Sequence, residues 1–298
     1  MQAFQQRSVN GIDLAYVDHA PRQKAPRQKE PALLTGDGLP LVLVHGFTGH
    51  RDDFAGVLPA LARHRRCLAP DLRGHGDSDR AADPSDYDFE TLEEDLVGLL
   101  DALGIEVCHL LGHSMGGMVA LRFTLAHPAR VASLVLMNTS AAAPEGYSRE
   151  GLEAASALAR AQGMQELQRR VEAGAKETEL KETALKETAA EGTELDESYW
   201  PHHRRRYAAM DPEAYGALVA AMLDQQSLET RLGEIACPTL VLVGAADGAF
   251  VPAAATLAAG IPGARHVVIP GAAHHPHREK RDEWLAAMEA HFAAMHGG

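Results

Sequence analysis

Cysteine is scarce in this chain, bases are outnumbered, and long apolar runs are missing. The three cysteines, Cys67, Cys108 and Cys237, are odd in number, far apart and form no C-x-x-C pair. That excludes a disulfide framework and a structural zinc site and fits a reducing compartment, so the expected location is cytoplasmic. No stretch reaches the roughly 18 apolar residues that a membrane-spanning helix needs. The first ten residues carry no apolar core or cleavage pattern of an export signal. With 28 Lys+Arg against 41 Asp+Glu the formal net charge is −13, a sign that repels phosphate backbones and anionic lipid. Nucleic acid, a membrane surface and polyanionic substrates are therefore not expected as partners.

What is present is a globular composition, 46% hydrophobic and 23% charged over 298 residues, enough for one large domain with an insertion or for two domains. The acidity is local. Residues 71–106 hold 12 acids against 2 bases, and residues 145–198 hold 13 against 7; both segments read as solvated surface.

Phe4 to Val9 and Ile12 to Val17 flank Asn10-Gly11, the signature of a β-hairpin turn. Leu41 to Val44, Cys67 to Ala69, Val107 to Leu111, Ser133 to Met137, Thr239 to Val243 and His266 to Ile269 are short apolar runs rich in branched residues, as buried parallel strands require. Helical patterns separate them. Asp88 to Leu103 carries a leucine stripe and stops at Gly104, and Met115 to Ala126 stops before Pro128. Strands alternating with helices predict a doubly wound, mostly parallel α/β sheet of eight strands.

The alternation breaks between Ala141 and Arg231, where only helical patterns occur. Asp211-Pro212 opens one of them as an N-cap and first-turn proline, followed by an apolar stripe from Tyr215 to Leu223. The expected organisation is a core of residues 1–140 and 232–298, interrupted by a helical lid over 141–231. Two repeats read as exposed segments. One is the doubled Pro-Arg-Gln-Lys unit at 21–29. The other is a Lys-Glu-Thr pentapeptide repeat near 175–190, whose period of five cannot stack leucines into a helical stripe.

Gly112-His113-Ser114-Met115-Gly116 follows a strand and opens a helix. G-x-S-x-G in that context makes a strained turn that exposes a serine hydroxyl above the sheet, with the next amide turned toward a developing oxyanion. Serine needs a base. His274, in the loop after the last strand, is placed to reach the same sheet edge; the plain alternative for His274, His275 and His277 is a surface loop. Asp247, after the strand Thr239 to Val243, is the only acid between Glu234 and Glu279 and is the candidate to orient the base. After Met137 come Asn138-Thr139-Ser140 and no acid. His45-Gly46-Phe47-Thr48-Gly49 follows Leu41 to Val44, so the Phe47 amide joins that of Met115 as an oxyanion donor. His45 reads as a structural residue bonded to loop backbone. Phe47, Phe250 and Val251 are candidate substrate walls, and no metal site or cofactor is expected.

These segments, together with Asp71-Leu72-Arg73-Gly74-His75-Gly76-Asp77-Ser78, resemble the α/β-hydrolase fold family in its small lidded serine-hydrolase branch. The resemblance covers about residues 38–140 and 232–296 and is weak in the lid. It implies a nucleophile at Ser114, an acid at Asp247, a base at His274 and oxyanion amides at Phe47 and Met115. It departs from the pattern at Ala273, where the family has glycine. Serine at the elbow counts against haloalkane dehalogenases and epoxide hydrolases, which use aspartate there. The implied activity is cofactor-free hydrolysis of a small carboxylic ester or related acyl substrate, with water as co-substrate. C–C bond hydrolysis, lactone opening, perhydrolase or haloperoxidase chemistry, acyl transfer and the elimination of menaquinone-pathway synthases use the same residues. A lidded ligand receptor is the reading of another class.

Overall fold

A computed structural model of the chain describes residues 3–20, 38–176 and 199–296. Both repeats, at 21–29 and within 177–190, lie outside the described residues. Eight strands, β1 (Gln5–Val9), β2 (Ile12–His19), β3 (Leu41–Val44), β4 (Cys67–Pro70), β5 (Cys108–His113), β6 (Val131–Met137), β7 (Thr239–Gly244) and β8 (Arg265–Ile269), form one sheet. Their order is β1-β2-β4-β3-β5-β6-β7-β8. β1 and β2 pair antiparallel, as do β2 and β4, and every other neighbour is parallel. The Asn10-Gly11 turn has φ values of 49° and 80°, the left-handed pair that a two-residue hairpin requires.

From β3 the chain steps outward to β4, then returns past β3 to β5, which makes β3/β5 the point where the winding reverses. Ligand sites in such sheets lie beyond the carboxyl ends of the strands at that point. Register brings those ends level: Val44 pairs with Gly112, His113 with Met137, and Met137 with Leu242.

The strands separate two cores by the alternation of side chains across a pleated strand. Leu41 and Leu43 face one core with Phe54, Leu58, Trp284 and Met288. Val42 and Val44 face the other with Leu96, Val119, Leu121 and Phe123. The helices are α1 (Leu58–Leu61), α2 (Phe89–Ala102), α3 (Met115–Ala126), α4 (Arg149–Gln162), α5 (Met164–Lys176), α6 (Tyr199–Ala208), α7 (Pro212–Asp224), α8 (Val251–Gly260), α9 (Pro276–Glu279) and α10 (Arg281–His296). None of the described helices is long and apolar enough to cross a membrane.

Helices α4 to α7 fall between β6 and β7, which are neighbours in the sheet. Their apolar faces (Leu152, Ala159, Leu167, Tyr215, Leu218 and Met222 among them) join the second core. The start of α7 is pinned to the sheet side: the Asp211 amide donates to the Gly74 carbonyl at 2.8 Å, and the Tyr87 hydroxyl donates to the Asp211 carboxylate at 2.6 Å.

The acidic segment 71–106 is not all solvated surface. Asp71 and Asp95 are buried. The Arg51 amide donates to Asp71 at 2.7 Å, and its guanidinium spans Asp71 and Asp77. Arg73 grips Asp95 through two bonds of 2.8 and 2.7 Å. A buried carboxylate needs a cation and hydrogen bonds of this kind to stay charged. Arg51 lies outside the segment, and Arg73 lies inside it but 22 positions from Asp95, so a charge count does not pair either arginine with its acid.

Candidate active site

A single residue separates the end of β5 from the start of α3. That residue, Ser114, takes φ 53° and ψ −121°, a conformation few non-glycine residues adopt and one that persists only where the surroundings enforce it. They do so on three sides. The Ser114 amide donates to the Met137 carbonyl at 2.9 Å, while its own carbonyl accepts from the Thr139 hydroxyl at 2.7 Å and from the Gly117 amide at 2.9 Å. The flanking glycines have no room for side chains. A Cβ at Gly112 would fall on the Gly116 carbonyl oxygen, and one at Gly116 would fall on the carbonyls of Val44 and His45. Ser114 is only 7% exposed.

The loop after β3 is held by His45. Its Nδ1–H donates to the Gly46 carbonyl at 2.8 Å, while its Nε2 accepts the Leu72 amide at 2.9 Å. This assigns a neutral imidazole, and burial pushes its pKa down to about 3. The Gly46 carbonyl also receives the Gly49 amide at 2.9 Å. With the Gly46 carbonyl fixed by two donors, the Phe47 N–H, trans to it across the planar peptide, is fixed pointing the opposite way. Gly46 lies against Ser114: a Cβ there would stand 3.1 Å from the serine Cβ. Met115 is the first residue of α3, so its amide belongs to the helix N-terminus, where N–H groups lack partners within the helix.

At the same edge the His274 Nδ1–H donates to the Asp247 Oδ2 at 2.7 Å, which turns the other ring nitrogen, Nε2, away from the carboxylate. His274 is 5% and Asp247 8% exposed. Sequence reasoning missed two residues that hold this pair. Asn138, immediately after β6 with φ 47°, donates through Nδ2 to the Asp247 Oδ2 at 2.5 Å and to the Ala273 carbonyl at 3.0 Å. His113, the variable residue of the elbow, donates through Nε2 to the His274 carbonyl at 2.7 Å. His274 therefore hangs between the ends of β5, β6 and β7. A Cβ at Gly244 would collide with the carbonyls of Ala272 and Ala273, so the end of β7 approaches this loop as closely as backbone allows. Asparagine tolerates the left-handed conformation better than most residues, and that is the signal by which Asn138 could have been found.

His275 and His277 are buried, not part of a surface loop. The helical insertion supplies the cover. Arg206 of α6 lies 3.3 Å from the His275 Nε2, and the His202 Nε2 donates to the Asp53 carboxylate at 2.5 Å while the Arg205 guanidinium donates to its Nδ1 at 3.0 Å. His202 is thus neutral. Burial lowers its pKa against the pull of Asp53. For Asp53 the desolvation cost is outweighed by the His202 hydrogen bond and the Arg206 charge, which hold the carboxyl well below its ordinary value.

A cavity opens on Ser114. Phe47 and Phe250 line it, as the sequence led us to expect, with Met118 of α3 and with Leu152, Tyr215 and Met222 from the insertion. Val251 does not reach it; as the first residue of α8 it packs, partly buried, against the second core. Among the described residues one trio, His50, Asp71 and Asp77, brings possible metal-ligand atoms within 4.8 Å of one another. Arg51 already occupies both carboxylates, and the His50 Nδ1 accepts the Asp52 amide at 3.0 Å, so the trio is a salt-bridge network.

Residues 40–280 match the family model of the alpha/beta hydrolase fold. The chain belongs to that family. As an α/β-hydrolase it is 35% identical over 222 residues to a protein of Variovorax paradoxus named as a carbamate hydrolase, a match that covers 72% of this chain and 76% of that one. It is 42% identical over 109 residues to 2-hydroxymuconate semialdehyde hydrolase of Pseudomonas sp. (strain CF600), covering 36% of this chain and 38% of the relative. The match spans about two fifths or less of the length of several such curated relatives. The enol-lactonase of Burkholderia xenovorans LB400 superposes with a TM-score of 0.79 at 27% identity, over 96% of this chain and 99% of that one. This α/β-hydrolase is therefore similar to proteins whose names cite different bonds.

Proposed function

We propose that the protein is a cofactor-free serine hydrolase of a small carboxylic ester or related acyl compound. Ser114 is the nucleophile, His274 the base, and Asp247 the acid that holds it. The observation that carries the reading is the 2.7 Å bond from His274 to Asp247 at the sheet edge where Ser114 sits in its strained turn. In this scheme Ser114 Oγ attacks the carbonyl carbon as His274 Nε2 takes its proton. The amides of Phe47 and Met115 stabilise the oxyanion, and a single such donor is worth roughly 100- to 1,000-fold in rate. His274 then protonates the leaving group, and the acyl-enzyme forms. Water, deprotonated by His274, releases the acid and restores Ser114. Asp247 keeps the imidazole in its Nδ1–H tautomer and stabilises the imidazolium.

On this reading residues 141–231 form a lid over a core of 1–140 and 232–298, and the buried Asp53–His202 contact is where lid and core meet. Lactones and carbamates present the same carbonyl to the same groups, so they fall within the class. Replacing Ser114 with alanine tests it: hydrolysis of p-nitrophenyl acetate should fall to the uncatalysed rate in a variant that melts at the wild-type temperature. Retained turnover in that variant would sink the assignment.

A further inference from the structure

We propose that the acyl group this enzyme accepts is uncharged and apolar, and that Leu152, Met222 and Leu223 of the helical insertion enforce the choice; this rests on the serine-hydrolase reading above. The space beside Ser114 amounts to about 450 Å³, part of it open solvent. Met118 of α3, Phe47 and Phe250 form its sheet side. Leu152 of α4 and Met222 and Leu223 of α7 form its roof. No charged side chain lines it among the described residues.

The nearest elements do carry arginines, but these are committed elsewhere. Arg122, one turn beyond Met118, donates to the Met118 carbonyl at 3.0 Å and to the Gln225 side chain at 3.1 Å. Arg160, two turns beyond Leu152, pairs with Glu213 at 3.0 Å. A carboxylate carried into this space would lose its water and gain no cation, a cost that protein interiors seldom bear. An alkyl chain would lose only water it is better without.

The cavity takes the acyl portion and not the leaving group because of where the base lies. The leaving oxygen must sit beside the imidazole that protonates it, which assigns it the side of Phe250, whose ring stands 5.1 Å from that of His274. The group on the other side of the carbonyl is left to fill the cavity. Pro144, Tyr147, Leu152, Tyr215, Met222 and Leu223 all come from the segment between β6 and β7, so specificity is set by residues outside the sheet and can change without moving Ser114.

The test compares two p-nitrophenyl esters of matched shape, the 5-methylhexanoate and the mono-ester of glutaric acid, whose terminal carboxylate replaces the branched methyls. Rates are taken above the Ser114→Ala background. We expect kcat/KM to favour the neutral ester by roughly 100-fold or more. In Leu223→Arg, at a partly buried position that tolerates a long side chain, the ratio should narrow by roughly tenfold or more, while Leu223→Gln, which adds polarity without charge, narrows it by less. A wild-type ratio within about threefold of one, or in favour of the glutarate, overturns the proposal whether or not the variants fold. Absence of Ser114-dependent turnover of both esters instead overturns the serine-hydrolase reading, and this proposal with it.

Discussion

Asn138 donates to the same carboxylate oxygen of Asp247 that receives the His274 proton. The two bonds, 2.5 Å from Asn138 and 2.7 Å from His274, meet on Oδ2, and the same amide group reaches the Ala273 carbonyl at 3.0 Å. One side chain thus ties Asp247 to the peptide that precedes His274. On the proposed mechanism it is a positioning residue.

Asn138→Ala should lower kcat by roughly 10- to 100-fold with KM changed less than about threefold, since a hydrogen bond to a charged group is worth about 1.5–3 kcal/mol. Asn138→Asp should cost at least as much at neutral pH and move the acidic limb of the kcat profile upward, because two carboxylates that close together cannot both stay ionised. A pH–rate profile of each variant decides. Superimposable profiles and unchanged kcat would show that Asn138 serves the loop alone.

His45→Ala removes both the donor to the Gly46 carbonyl and the acceptor of the Leu72 amide. The Leu72 amide loses its partner while the Gly46 carbonyl keeps the Gly49 amide, so stability should drop by about 1–3 kcal/mol. The Phe47 amide loses its fixed direction, so kcat should fall more than KM rises. Denaturant unfolding and steady-state kinetics check the two halves separately. A variant with wild-type kcat would remove His45 from the oxyanion argument.

Folding keeps many histidines dry. His45, His113, His202, His203, His275, His277 and His291 are buried, and burial is the first cause that lowers each pKa: to about 3 for His45 and His277, about 2 for His203 and about 4 for His291. In the unfolded chain they titrate near pH 6.5, so below that the unfolded state binds more protons and stability falls with pH. The contribution is full above about pH 6.5 and is lost on acidification at up to about 1.4 kcal/mol per pH unit for each group. The lowered Asp53 pKa works in the same direction, lower in the pH range. Thermal melts should drop by about 10 °C or more between pH 7.5 and 5.5. A melting temperature flat across that range would contradict this.

Gly112→Ala places a methyl group on the Gly116 carbonyl oxygen, backbone that cannot move aside. We expect a loss of about 3 kcal/mol or more, or no soluble protein. Gly56→Ala, where nothing lies within 4 Å of the added carbon, is the control and should leave the melt within about 2 °C.

Much of this was legible in the sequence for a plain reason. Elements with a strong period, such as Leu41 to Val44 or the leucines of α2, declare themselves locally, and the glycines around Ser114 mark a turn that only small residues permit. The order Ser114, Asp247, His274 then follows from which loops leave the carboxyl edge. What was not legible depends on contacts between distant segments. Asp71 and Asp95 sat in a run of acids that looked solvated, because Arg51 and Arg73 reach them only in the folded chain. His275 looked like a loop residue because Arg206 of α6 meets it from 69 positions away in sequence, and His277 because Phe54 and Trp284 pack on it. Asn138 looked like an empty acid position, since a neutral amide gives no charge signal. Val251 was expected as a pocket wall beside Phe47 and Phe250, whereas further walls come from α4 and α7, whose packing the sequence does not reveal.

The most direct measurement is where the acyl-enzyme forms. The protein is incubated with a fluorophosphonate, its intact mass is recorded, and the modified peptide is sequenced by mass spectrometry. The account requires one adduct per chain on Ser114, no adduct in Ser114→Ala, and labelling slowed at least roughly 100-fold in His274→Ala. A stoichiometric adduct on any other residue, or undiminished labelling of Ser114→Ala, would contradict it.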